Sequence, residues 1–296
     1  MVDLEKEWSI SFAGCGFMGI YYVGASSCIL ERFPGFIQGA SKIYGASAGA
    51  LMAAVLTVGV PLELCSADLM TMAKEGWRHR LGPLHPAFNL MQLVKDSLLR
   101  SLPEDAHVRA SGKLHVSLTR VSDGKNVLVS EFDSREELIQ VLVCSCFVPF
   151  YCGVIPPRYR GVHYVDGAVS DNLPRCHRKD TTTFSPYAGE SDLCPRASAG
   201  NYHQVRFSNV SIQVNSENMS RVTSTFFPPP PQVRPGRGAT STFLVRFLFS
   251  LSIPGSRRNI AERLCEYKQL ITKYKHSYFE EHYIRTHSPT HCTLLI

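Results

Sequence analysis

Three short stretches hold residues able to do chemistry together. Gly45-Ala-Ser47-Ala-Gly49 has the form Gly-x-Ser-x-Gly and joins a β-rich stretch to a small-residue, apolar run. A strand-to-helix turn this sharp needs Gly45 and Gly49, because a Cβ would clash, and it pushes the Ser47 hydroxyl out of the sheet. The N-terminus of the next helix favours negative charge beside that oxygen. A serine also needs a base to become a nucleophile. Asp166, in Tyr164-Val-Asp-Gly167, ends a short strand and is the candidate. Alone, an Asp-Gly pair is a common turn.

The third stretch is Gly14-Cys-Gly-Phe-Met-Gly19, which follows a β-rich run at once. Gly-x-Gly-x-x-Gly after a strand has two readings. A dinucleotide site needs an acid at the end of the second strand to hold the ribose. Here that strand runs Lys42-Ile-Tyr-Gly45 into the serine turn and has no acid. The preferred reading is an oxyanion hole, with Gly14, Cys15, Gly16 and Gly19 presenting backbone N–H groups to developing negative charge. A histidine base would make a Ser, acid, His triad in that chain order. The histidines after Asp166, such as His177 and His203, sit in polar or tail segments with no strand to place them.

These motifs need a scaffold. Strands are expected at 9–13, 42–44, 113–119, 126–132, 162–165 and 181–184. Helices are expected at 20–33, 50–58, 61–79, 89–102 and 134–144, the last opened by the capping box Ser134-Arg-Glu-Glu137. Strands alternating with helices imply an α/β fold, three layers deep, with a mostly parallel central sheet. Such sheets place ligands at the carboxyl ends of their strands, where all three motifs are expected.

Residues 1–227 hold 21 Lys and Arg against 21 Asp and Glu; residues 228–296 hold 10 against 4. The net charge of +6 therefore sits in the tail. That balance fits a solvated tail or an anionic phospholipid surface, and a nucleic-acid partner is not expected. Pro228-Pro-Pro-Pro231 and Gly236-Arg-Gly238 mark 228–240 as a linker, with a basic, partly helical or disordered tail over 241–296. The acidic N-terminus lacks a basic-then-apolar leader, so secretion is not expected. The apolar run Phe243–Ile253 is too short to span a bilayer. The ten cysteines read as small buried residues of a reducing cytosol. Cys144-Ser-Cys146 has the wrong spacing for a zinc knuckle, so no metal is expected.

Taken together, the stretches resemble the patatin-like phospholipase family. The likeness runs through Trp8-Ser-Ile-Ser-Phe-Ala-Gly-Cys-Gly-Phe17, Ile43-Tyr-Gly-Ala-Ser-Ala-Gly-Ala-Leu51 and Val116-Ser-Leu-Thr-Arg-Val-Ser-Asp-Gly124. It continues through Cys144-Ser-Cys-Phe-Val-Pro149, Tyr164-Val-Asp-Gly167 and Ser170-Asp-Asn-Leu-Pro174, and spans a domain over 8–227. Leu81-Gly-Pro-Leu-His-Pro86 also carries the likeness, and Leu81–Leu90 and Gly189-Glu-Ser-Asp-Leu-Cys-Pro195 are similar to segments of its triacylglycerol-cleaving branch. The resemblance implies a Ser47–Asp166 dyad without histidine, the loop from Gly14 to Gly19 as oxyanion loop, and no cofactor. It implies triacylglycerol, or else phospholipid, as substrate, with acyl transfer or a catalytically weak regulator as alternatives. It also implies a lipid-droplet or membrane surface in the cytoplasm and an α/β-hydrolase-fold co-activator. Ala168 stands where that branch has glycine, Pro174-Arg-Cys-His-Arg-Lys179 is more basic than usual, and the likeness stops near Pro228.

Overall fold

The computed structural model of the chain describes residues 7–175, 180–195 and 203–228. Apart from Pro228, the expected linker and basic tail lie outside these residues, as do His177 and the basic run from Cys176 to Lys179.

The chain opens with β1 (Ser9–Phe12), a 3-10 turn (Gly16–Gly19) and α1 (Ile20–Arg32). Pro34 then starts α2 (Pro34–Gln38), since a proline at a first helical position lacks only an N–H that would have been unpaired. β2 (Lys42–Ala46) feeds α3 (Ala48–Val58), which α4 (Leu62–Gly76), α5 (Leu90–Ser101) and α6 (Ala106–Ala110) follow. β3 (Leu114–Arg120) and β4 (Asn126–Val129) pair antiparallel as a hairpin. α7 (Arg135–Ser145) starts where the capping box placed it, with Ser134 Oγ accepting from the Glu137 N–H at 3.1 Å. β5 (Arg158–Tyr159), β6 (Val162–Asp166) and β7 (Thr181–Phe184) complete the main sheet. β8 (Gln204–Phe207) and β9 (Val210–Gln213) pair as a separate ribbon, followed by α8 (Ser216–Phe226).

The main sheet runs β5-β6-β3-β2-β1-β7, with β4 also on β3. β3, β2, β1 and β7 are parallel; β4, β5 and β6 are antiparallel to their neighbours. The result is an α/β fold whose mixed, mostly parallel sheet is flanked by helices. α3 packs on β1, β2 and β3, and α7 on β3, β5 and β6.

Ile10, Phe12, Ile43, Leu114, Val116 and Leu118 are fully buried, as expected of strands covered on both faces. The Phe12 and Phe184 rings lie 4.6 Å apart, and Tyr22 of α1 meets Phe12 edge-on at 5.2 Å. Tyr22 also donates to Ala13 O at 2.6 Å, so one side chain of α1 anchors the chain just before the glycine loop.

Register decides what meets at the top of the sheet. Phe12 lies beside Gly45, and Ala46 beside Ser117. Asp166 lies beside Leu118, the residue after Ser117. Gly14, Ser47 and Asp166 therefore reach one level across the sheet. Asp166 ends β6, as expected, and β6 runs antiparallel to β3. The two-residue β5 reverses the chain at Arg160 and Gly161, both with positive φ (46° and 79°), and β6 approaches from the other direction.

Candidate active site

Ser47 caps α3 in a strained backbone, φ 54° and ψ −130°. A non-glycine residue held there costs about 1–3 kcal/mol, and such strain persists only where its surroundings impose it. Two glycines impose it here. A Cβ on Gly45 would strike the backbone of Gly49, and a Cβ on Gly49 would strike the Phe12 carbonyl. The elbow is also tied from behind: the Ser47 N–H donates to Ser145 Oγ at 2.9 Å, and Ser145 Oγ donates to Ser117 O at 2.8 Å. Ser145 is fully buried at the end of α7. Ser47 directly precedes the first turn of α3, so the partial positive charge of a helix N-terminus is available there.

Asp166 is 3% exposed, and its carboxyl lies close enough to the Ser47 hydroxyl for that group to act on its pKa. Burial raises its pKa from the usual 3.8 to about 6, with the Ser47 hydroxyl and the Ala168 N–H pulling it back. The Ala168 bond to Asp166 Oδ1 is 2.8 Å long. The main chain of Asp166 is fixed on both sides, its N–H donating to Phe147 O and its carbonyl accepting from Thr119 Oγ1, each at 2.8 Å. Gly167 is required because a Cβ would collide with the Ser117 carbonyl. Ala168 does not have a positive φ, so glycine is not needed there and the departure is sterically neutral.

The glycine loop packs against the elbow, and a Cβ on Gly14 would sit 3.0 Å from the Ser47 Cβ. The Gly14 N–H, however, donates to Asn172 Oδ1 at 2.7 Å. Gly14 thus shapes the loop instead of offering its own N–H to an oxyanion. Among the described residues no partner is assigned to the N–H groups of Cys15 and Gly16. Gly16 has φ 51°, and a Cβ there would strike the Thr225 carbonyl of α8. Gly19 is looser: it precedes α1, and an added Cβ would make an ordinary 3.7 Å contact with Ala48.

Two thiols border the pair. The Cys15 thiol, next to Tyr22, is pushed far up by burial. Cys146, a neighbour of Ser47, is raised by burial and by the charge of Asp166. A protonated thiol is a poor nucleophile. Of the expected site residues, Ser47, Asp166, Gly14, Cys15, Gly16, Gly45 and Gly49 are brought together, and Gly19 stands at the margin. Ser145 and Asn172 hold the site without having been singled out from the sequence, although both lie in the stretches that carry the family resemblance.

A family model described as "Patatin-like phospholipase" matches residues 10–175, which include every residue above except those of α8. The chain belongs to the patatin-like phospholipase family. It is 53% identical over 233 residues to patatin-like phospholipase domain-containing protein 2 of Homo sapiens, covering 79% of this chain and 46% of that protein. The rat protein of the same name is 52% identical over 233 residues, 79% of this chain and 49% of its own length. The human 1-acylglycerol-3-phosphate O-acyltransferase of this family is 45% identical over 229 residues, 77% of this chain and 48% of its own length. The chain thus spans about half the length of these relatives. Among the described residues no helix is long and apolar enough to cross a membrane.

Proposed function

We propose that the chain is a serine lipid acyl hydrolase that releases a fatty acid from triacylglycerol through a Ser47–Asp166 dyad. The observation that carries this reading is the meeting of a strained serine and a buried carboxyl beside a loop with open backbone N–H groups. Asp166, ionised above about pH 6, takes the proton of the Ser47 hydroxyl. Ser47 Oγ then bonds to the ester carbonyl carbon, and the carbonyl π electrons move onto oxygen. The N–H groups of Cys15 and Gly16 receive that oxyanion, and each such donor is typically worth about 2.7–4 kcal/mol of transition-state stabilisation. As the carbonyl re-forms, the ester C–O bond breaks and the leaving alkoxide takes the proton from Asp166. Water then attacks the acyl-enzyme, giving its proton to Asp166, and the fatty acid leaves as Ser47 regains its hydrogen.

Triacylglycerol is favoured by the similarity of residues 81–90 and 189–195 to the triacylglycerol-cleaving branch. The same resemblance supports a lipid-droplet or membrane surface as the place of action and an α/β-hydrolase-fold protein as co-activator. The acyltransferase name of one relative supports a second reading, in which an acylglycerol hydroxyl replaces water in the second step. Both readings share the acyl-enzyme. The test is to label the purified chain with a fluorophosphonate and map the peptide, then incubate it with triolein with and without a monoacylglycerol acceptor. Label on Ser47 with free oleate as main product supports hydrolysis, and label with acceptor acylation supports transfer. A folded chain that takes no label refutes the dyad.

A further inference from the structure

Beside the candidate site the surface turns apolar. The 11 residues Phe147-Val-Pro-Phe-Tyr-Cys-Gly-Val-Ile-Pro-Pro157 carry no charged side chain. They leave from the dyad itself. Phe147 O accepts the Asp166 N–H, Cys146 borders Ser47, and Cys152 Sγ reaches Cys146 O at 3.6 Å. At the outer end of this loop Phe150 is 89% exposed, Val154 77% and Ile155 81%. A second segment shows Leu81 and Leu84, both exposed.

The two segments rest on one support, the chain from Phe226 to Pro228. Tyr151 Oη donates to Phe226 O at 2.6 Å and its ring meets Phe226 edge-on at 5.5 Å. Trp77 Nε1 donates to Pro228 O, and Gly82 lies against the Trp77 ring. The adjacent Thr225 carbonyl abuts Gly16, so the support of the apolar tips is also the support of the oxyanion loop.

Phe150 makes the loop unusual. Its φ is 66°, a left-handed backbone disfavoured for a bulky side chain. It is held there by its own N–H bond to Gly153 O and the Cys152 N–H bond to Val148 O, each 2.8 Å. The fold thus holds an aromatic ring out in water through a strained backbone. Such a ring lowers its free energy only on burial, and no described residue buries it. Exposed cations flank the tips: Arg80 directly precedes Leu81, and Arg158 directly follows Pro157.

We propose that Phe150, Val154 and Ile155, with Leu81 and Leu84, are the face by which the chain docks on a lipid surface. The apolar tips enter the acyl layer while Arg80 and Arg158 stay at headgroup level, which brings Ser47 next to the lipid. This takes the lipid-ester reading of the site as its premise, since an insoluble ester must reach Ser47 from the lipid phase. A lipid layer fits better than a protein: a charge-free loop flanked by cations needs no shaped pocket to enter it.

The test is flotation of the Ser47→Ala chain with phosphatidylcholine vesicles at high salt, which screens the basic tail. The chain should float, and Phe150→Asn with Ile155→Ser should lower partitioning by roughly 100-fold or more. Asn tolerates a left-handed backbone better than Phe, so the unfolding midpoint should not fall. Leu81→Ser with Leu84→Ser, on the separate segment, should give a loss of the same sign. Unchanged partitioning in both pairs, or no flotation of the Ser47→Ala chain, overturns the proposal. Because that chain has no nucleophile, the result is independent of turnover. Flotation through this face by a chain that cleaves no lipid ester would refute the hydrolase reading and leave the docking face standing.

Discussion

The Gly14 N–H donates to Asn172 Oδ1 at 2.7 Å, joining the loop after β1 to the chain just beyond Asp166 across 158 residues of sequence. Asn172 is 5% exposed, and its own N–H donates to Ser208 O at 2.9 Å. One buried amide therefore sets the distance between the loop that offers N–H groups and the segment that carries the acid.

Asn172→Ala removes that tether and leaves the Gly14 N–H unpaired. An unsatisfied buried donor costs about 1–3 kcal/mol of stability. A displaced loop costs more in rate, because misplacing reacting groups by about 1 Å can cost about 10²-fold. The expectation is a fall in kcat of that order with KM nearly unchanged, read on a soluble short-chain ester. A change confined to KM would show that Asn172 does not position the oxyanion loop.

Ser47→Ala should abolish fluorophosphonate labelling and lower turnover by about 10³-fold or more, as loss of a nucleophile does. It should not unfold the chain, because the elbow is held by Gly45, Gly49 and the backbone bond to Ser145. Turnover within tenfold of the unsubstituted chain (about 1.4 kcal/mol) would move the chemistry to another residue.

The glycines of the loop separate into required and permissive positions. Gly16 has φ 51° and lies against the Thr225 carbonyl, so Gly16→Ala forces loop and α8 apart. Gly19 has room for a methyl group against Ala48. Gly16→Ala should lose most activity and lower the unfolding midpoint. Gly19→Ala should keep activity within a few-fold, since it removes no donor and creates no clash. Equal losses in the two variants would mean that motif spacing, not space at the support, governs the loop.

Much of the fold is legible in the sequence. β1, β2 and the helices after them follow from apolar β-rich runs ending in glycines, and the demands on Gly45 and Gly49 are local steric ones. Ser145 and Asn172 were not legible as holders of the site, because each acts on a partner 98 or 158 residues away. β8 is hidden for another reason. All four of its residues are exposed, so it carries none of the alternation that reveals a half-buried strand. The direction of β6 is not legible in the sequence, because the reversal before it depends on a two-residue strand and two positive-φ residues. Strand existence is written in side-chain pattern, whereas strand direction depends on such connections.

Burial raises the pKa of Asp166 to about 6. A base must be ionised to accept the serine proton, so kcat/KM should rise as pH climbs through about 6 and then flatten. Stability should run the opposite way. Between the usual 3.8 and about 6 the folded chain holds a proton that the unfolded chain has released. The stabilisation from protonated Asp166 is therefore complete below 3.8 and is lost as pH rises through about 6, a loss of about 3 kcal/mol by linkage. Asp166→Asn removes the charge but keeps an acceptor for the Ala168 N–H. It should be inactive at every pH, yet more stable than the unsubstituted chain at pH 8, with the advantage vanishing toward pH 4. Urea unfolding of both chains across that range reads the difference directly. An Asn variant less stable at pH 8 would mean that ionised Asp166 is held by favourable interactions strong enough to outweigh its desolvation.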